Sequence, residues 1–524
     1  MTARLATLVL ACAVLGCGAT ALETVSAAGA PCVGPCLGAP PTVAAAVTPP
    51  ASVGPTASVG SFSVRPGEEH DLTLPAVVTL AGQVQVDGTL VDATLLAIAK
   101  EPSVTGLAIR SQATAKSKDG FSLELLSGVT YVLTIDLGLL DRPLHNMELT
   151  ETTSQSGIVI SLPAPESYPT IEGRVLREVV AGKTKSLVPV AGVLVGGRGA
   201  GDAGECTSAV TDSHGTYALR CPSATASYDV VVGPTSDGPV VPVFTALDGR
   251  HARGRTPTAK IAAVAPELTP DIVIPASIAE TQVTLQVFTA TGVPVAGVPI
   301  AVSSSFESDP AVLAAFKNPV ARMTANTDDS GLCTVRLIAG HYRVVASPHP
   351  SLTAAVAVTT WDVTAEPTKK IVLGDKMTLS GVVLGPTGAP VLQARVAATL
   401  ELVDPATSTR SRREYTAETD AKGQFTAHVD PGTISVVVTP PDGSGLPLWR
   451  NDAVALDASA GKTTLTCALA SPLPVNGRVL SSTGAPVPGA GVDLYAPDTG
   501  RLLGHGLSDK DGRYRVLLPG NNDQ

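Results

Sequence analysis

The sequence predicts an all-β chain, built as a tandem array of five β-sandwiches. Three observations predict it. A unit of roughly 90–115 residues recurs five times, and each copy carries a hairpin tip ending in glycine, at Gly120, Gly215, Gly331, Gly423 and Gly512. Apolar residues alternate along short runs, as in Phe425/Ala427/Val429 and Tyr514/Val516/Leu518. That period of two belongs to a half-buried strand. Turn formers punctuate the runs, with 50 Gly and 43 Pro in 524 residues, and helical periodicity is nearly absent.

Residues 1–16 place Arg4 before an apolar run and read as a signal peptide, too short to span a bilayer. Val14-Leu15-Gly16-Cys17 resembles the lipobox of bacterial lipoproteins, which implies lipidation at Cys17. Cleavage after Val25-Ser26-Ala27 is the other reading of this region. No later segment holds eighteen uninterrupted apolar residues, so membrane attachment is expected only through a lipid anchor. Residues 17–60 are expected to form a Pro/Ala-rich tether. The part from 37 to 60 is uncharged and aperiodic, and its prolines favour an extended spacer.

Sandwiches are expected at 61–152, 153–264, 265–364, 365–460 and 461–524, the last incomplete. Each opens on a strand with a central glycine: Gly82, Gly173, Gly381 and Gly477, with Leu285 in that place in the third copy. A Pro-Val element follows, at Pro189–Val195, Pro294–Ile300, Pro390–Val396 and Pro486–Val492. Next come the tips, such as Asp212-Ser213-His214-Gly215 and Asp420-Ala421-Lys422-Gly423. There Asp can bond its own backbone and Gly can take positive φ. Later strands include Tyr228–Val232 and Ile434–Val438, and linking strands such as Lys370–Leu373 are expected to lead into the next copy. The insertion Asp309–Lys317 predicts a short helix or turn. In the fifth copy the chain stops soon after Gly520, before its next strand. That leaves either a truncated copy or an open edge awaiting a donated strand.

These motifs together (Gly-x-Val, Pro-Val-x-Gly-Ala-x-Val and Thr-Asp-x-x-Gly-x-Tyr, over residues 61–524) resemble the bacterial carboxypeptidase regulatory-like domain. The resemblance implies Ig-like, transthyretin-like (prealbumin-like) sandwiches and no peptidase activity.

Of the eight cysteines, Cys12 falls in the signal peptide and Cys17 is the lipidation candidate, so six remain to be placed. Cys32 and Cys36 can close a small loop in an oxidising compartment. Counting outward from the tip at 212–215 puts Cys206 opposite Cys221, within disulfide range. Cys333 and Cys467 sit in apolar strand slots and read as buried thiols.

Signals of chemistry are weak. His145-x-x-Glu148, with His251 downstream, has zinc-ligand spacing, but the α/β domain that supports such a site is missing. Gly182-Lys183-Thr184 and Gly461-Lys462-Thr463 lack the upstream glycine of a phosphate loop. Asp509-x-Asp511-Gly512 lacks the remaining oxygen ligands of a calcium loop. No catalytic residue, cofactor or metal is therefore expected. Trp361 and Trp449 are the candidate ligand contacts, with packing as their other reading. Aromatics at 3% are thin for five sugar-binding modules, and a net charge of −10 argues against nucleic acid.

The expected function is non-catalytic. It is that of a spacer, scaffold or adhesin-like array in the cell envelope, as an outer-membrane or surface lipoprotein or else secreted or periplasmic. A polysaccharide- or peptide-binding surface protein is the alternative, and an accessory part of a secreted hydrolase system is a third. The expected partner is a surface protein or a polysaccharide.

Overall fold

The computed structural model describes residues 42–50, 57–65, 67–100, 109–138, 143–199, 204–223, 226, 228–235, 238–247, 271–278, 280–363, 367–456 and 461–520. Residues 1–41, with Cys17, Cys32 and Cys36, and His251 lie outside them. The described chain is all-β. Its one α-helix among the described residues is Pro310–Ala315, inside the insertion at 309–317.

The fourth module shows the plan. Its seven strands are Met377–Leu384, Arg395–Asp404, Thr409–Glu418, Gln424–Val429, Gly432–Thr439, Trp449–Leu456 and Lys462–Ala468. The first lies between the fourth and the seventh; the other four form the facing sheet, in the order third, second, fifth, sixth. Alternation builds the core: Phe425, Ala427 and Val429 face Ile434, Val436 and Val438 across the sandwich.

The seventh strand runs parallel to the first, with Thr378 opposite Lys462 and Leu384 opposite Ala468. The same holds for Gln155–Leu162 on Val77–Val86, Ile272–Ile274 on Thr170–Ala181 and Thr368–Leu373 on Glu280–Thr289. The linking strands therefore close the preceding sandwich. The boundaries expected at 152/153, 264/265, 364/365 and 460/461 each cut off a module's last strand, which is a correction to all four.

Two further corrections concern the chain's ends. Thr42–Thr48 and Ala57–Ser63, expected to be tether, are strands. They join Gly491–Ala496 and Arg501–Leu507 in one sheet, with Ala44 opposite Tyr495 and Thr48 opposite Gly491. Leu72–Thr73 then runs parallel to Pro472–Leu480, whose other neighbour is Arg513–Pro519. Residues 42–74 thus act as the fifth, sixth and seventh strands of the fifth module. The copy expected to be incomplete is a whole sandwich made from two distant pieces of chain. The edge expected to await a donor is occupied by Thr42–Thr48.

The glycines have two distinct duties. At the tips they adopt positive φ, as at Gly423 (70°) and Gly512 (74°). A Cβ there would also lie 2.5 Å from the Val383 carbonyl oxygen, or 2.8 Å from that of Val479. The tip aspartate fixes the loop: Asp420 Oδ1 accepts from the Lys422 and Gln424 amides, and Asp509 does the same for Asp511 and Arg513.

The first-strand glycines instead face a ring. Gly82, Gly173, Gly381 and Gly477 pair with Phe121, Tyr217, Phe425 and Tyr514. At Gly173, Gly381 and Gly477 the ring lies where a Cβ would stand, whereas at Gly82 that place is closed by Ile158. In the third module Leu285 pairs with Cys333, so the bulk has moved from one strand to the other.

In the second to fifth modules the residue before the tip aspartate is buried and polar. Thr419 Oγ1 donates to the Val391 carbonyl at 2.6 Å and accepts from the Ala394 amide at 2.8 Å. Thr211, Thr327 and Ser508 make the equivalent pair of bonds. Thr419→Val keeps the shape but leaves a buried carbonyl and amide short of a partner. It is expected to cost about 1–3 kcal/mol, read as an earlier urea midpoint.

Candidate functional site: the joints between modules

Several polar and charged contacts of this chain lie where modules meet. At the joint of the third and fourth modules, Asp430 is 0% exposed. Its Oδ2 accepts from Arg413 Nε at 2.7 Å and from the Tyr415 hydroxyl. Its Oδ1 accepts from the Val356 amide of the third module at 3.0 Å. Arg413 also donates to the Pro348 carbonyl of that module at 2.9 Å, and the Lys376 ammonium donates to the Pro350 carbonyl. Burial, reinforced by the bond to Asp430, pushes the Tyr415 hydroxyl up to about 12. Arg413 lies on the strand Thr409–Glu418 and turns into the joint, its side chain largely buried. Two more bonds cross here: Ser303 to Asp404 at 2.9 Å and Arg322 to Thr409 at 3.3 Å.

The second and third modules are joined through backbone. Val243–Leu247 pairs with Lys317–Asn326, so two four-stranded sheets become one of eight. Phe244 packs on Phe316, with ring centroids 4.4 Å apart, inside one core that runs from Ile171 to Leu373. Glu280 accepts from the Val240 amide and Arg336 donates to the Gly238 carbonyl, pinning the loop of the second module onto the third. A cleft of about 540 Å³ opens beside this joint, bordered by Pro234, Val241, Arg322, Thr324, Arg336 and Tyr342.

The residues singled out from sequence fall as follows. Trp361 is 1% exposed and sits in the core of the third module opposite Tyr342, so it offers no face to a ligand. This is a correction. Trp449 is half-buried against the fourth core. His145 and Glu148 are three apart on the strand His145–Thr150 and so point to opposite faces. His145 bonds the Tyr168 hydroxyl at 2.8 Å, and Glu148 pairs with Lys100. Burial pulls the His145 imidazole below its ordinary value. Cys333 and Cys467 are buried thiols, the latter pushed up to about 12 by burial. Among the described residues, no three His, Cys, Asp or Glu side chains gather into a metal-holding group, and no helix is long and apolar enough to cross a membrane.

Cys206 and Cys221 are joined, with Cα atoms 4.1 Å apart. The geometry differs from a hairpin ladder. Glu205–Val210 pairs with Val193–Gly199, whereas Thr216–Arg220 pairs with Thr170–Ala181 in the opposite sheet. The bond therefore staples the two sheets of the second module across their edges. Gly197 makes room for it, since a Cβ there would lie 2.6 Å from Cys206 Sγ. Reduction is expected to lower the stability of this module by about 3 kcal/mol for a loop of this length, read by calorimetry with and without reductant.

No family model matches the chain, and no curated protein matches it. Among solved structures it is similar to a Streptococcal ancillary pilin, at 10% identity and a TM-score of 0.21, over 75% of this chain and 99% of that one. It is similar to the minor pilin GBS52 of Streptococcus agalactiae, at 15% identity and a TM-score of 0.22, over 36% of this chain and 95% of that one. The shaft pilin SpaA from Lactobacillus rhamnosus GG gives 13% identity and a TM-score of 0.17, over 37% and 99%.

Proposed function

We propose that this chain is an exported, non-catalytic scaffold or spacer of the bacterial cell envelope, made of carboxypeptidase regulatory-like modules and held to a membrane by lipid at Cys17. One observation carries the reading. Thr207, Thr211, Ser303, Ser304, Thr327, Thr419, Asp430 and Ser508 are the buried polar residues among those described. Each is bonded to backbone, to a neighbouring module, or to both. Buried polar groups in a catalytic site face a reactant; here they hold shape. Intact producing cells, labelled with a fatty acid and with antibody, test it. Label in the protein that vanishes in Cys17→Ser, with antibody reaching the modules, is expected. Turnover of an ester, peptide or glycoside by the purified chain overturns the scaffold reading.

The cleft beside the second and third modules favours a second reading, a polysaccharide- or peptide-binding surface protein. Its polar lining includes Arg322, Thr324 and Arg336, whose side chains carry hydrogen-bond donors. Glycan-array or peptide-array binding that is lost in Arg336→Ala supports this reading. Binding unchanged by that substitution removes it.

A further inference from the structure

The fifth module is assembled from two pieces separated by most of the chain, and the way each piece is anchored has a consequence. We propose that this module is an exchangeable joint between copies of this chain, in which residues 42–74 of one copy complete the residues 472–519 of another. The partner is a second copy, and the contact is head to tail. This does not depend on the scaffold reading.

The two pieces hold to each other by non-covalent contacts alone. Five residue pairs run from Ala44–Tyr495 to Thr48–Gly491. Parallel pairing continues at Leu72–Val479 and Thr73–Leu480. The His70 amide donates to the Asn476 carbonyl at 2.8 Å, and the Tyr514 hydroxyl donates to the His70 carbonyl at 2.7 Å. Arg478 pairs with Asp71 at 3.0 Å. Val43, Ala45 and Val47 share a core with Val492, Leu494 and Val516. A second copy offers the same donor and the same acceptor, so every one of these contacts can form between chains.

Each piece is firmly attached to a different neighbour. Residues 42–74 run into the first module within three residues, at Val77, and the first-module residues Leu126 and Val129 belong to or pack on the same core. Residues 472–519 leave the fourth module just after Leu469, whose amide donates to the Leu384 carbonyl. Opening the module between its second and fifth strands therefore leaves a donor on the first module and an acceptor on the fourth. Gly477 keeps the acceptor open, since a Cβ there would meet the His70 carbonyl oxygen at 2.0 Å. A heterologous joint of this kind adds copies in sequence until it closes on itself. Closure within one chain competes through an effective concentration on the order of millimolar, so exchange is exposed by blocking it.

Complementation of full-length variants tests this. Ala45→Asp spoils the donor and spares the acceptor; Leu494→Asp does the reverse. Both sites are fully buried and directly opposed. Mixed after co-refolding, they are expected to give a 1:1 species of twice the monomer mass by light scattering. Each variant alone is expected to run as a monomer, with the buried-tryptophan emission of Trp361 retained. If either member of this pair loses that emission, Val47→Asp with Val492→Asp makes the same test two residue pairs along the ladder. Monomer mass in the mixture of folded variants, or dimers that form equally well within a single variant, overturns the proposal.

Discussion

Asp430→Ala will destabilise the fourth module by about 3–5 kcal/mol, the cost of leaving a buried cation without its partner. Arg413 and Asp430 have side chains 10% and 0% exposed, so water cannot take over the role of the lost carboxylate. Tyr415 and the Val356 amide lose their acceptor in the same step. The effect should reach the third module. Limited proteolysis will cut the segment 348–356 sooner, because two of its anchors, the Val356 amide and the Pro348 carbonyl, depend on this cluster. Asp430→Asn keeps one acceptor and should cost less. Equal urea midpoints for Asp430→Ala and the parent protein would remove the cluster from the account of this joint.

Gly381→Leu will be nearly as damaging. Even a Cβ at this position would lie 2.4 Å from the Leu465 carbonyl oxygen and 2.6 Å from the Phe425 ring. Overpacking of this kind costs about 1–3 kcal/mol, and the backbone contact places the substitution at the upper end. The third module shows how the strain is relieved, because Leu285 there faces the small Cys333. Adding Phe425→Cys to Gly381→Leu should restore part of the loss. A coupling of about 0.5–3 kcal/mol in the double-mutant cycle is expected, and strict additivity would mean that the glycine and the ring are unrelated.

The legibility of the fold follows the range of its interactions. The tips were legible because Asp and Gly act within four residues, and the five tip glycines all adopt positive φ. Leu285 and Cys333 each stood out as departures from the repeat, yet only the register shows that they are one compensating pair. The closing strands misled because a parallel strand has no tight turn to tie it to its partner; Lys370–Leu373 has Glu280–Thr289 as its neighbour from some 80 residues earlier. The composite module was hidden by small side chains. Thr42-Val-Ala-Ala-Ala-Val-Thr-Pro-Pro50 matches Thr433-Ile-Ser-Val-Val-Val-Thr-Pro-Pro441 in pattern, but its alanines give little contrast against a Pro/Ala-rich background. Gln393 likewise holds φ at 58° in the slot that Gly192, Gly297 and Gly489 fill elsewhere, a strained position that composition gives no reason to expect. Among candidate site residues, the cysteine pair was found by counting along the chain. The Asp430 cluster was not, since its members come from segments with no shared local pattern.

The composite module also decides where tension goes. Residue 42 enters the fifth module and residue 520 leaves it, while the first four modules lie in the stretch between Leu74 and Pro472. A pull on these two points loads the contacts inside the fifth module, among them those between Thr42–Thr48 and Gly491–Ala496, between Leu72–Thr73 and Pro472–Leu480, and between Pro472–Leu480 and Arg513–Pro519. The remaining sandwiches carry no force until that link gives way. The fifth module is thus a mechanical fuse: when it parts, it releases folded slack while the cores of the other four are still intact.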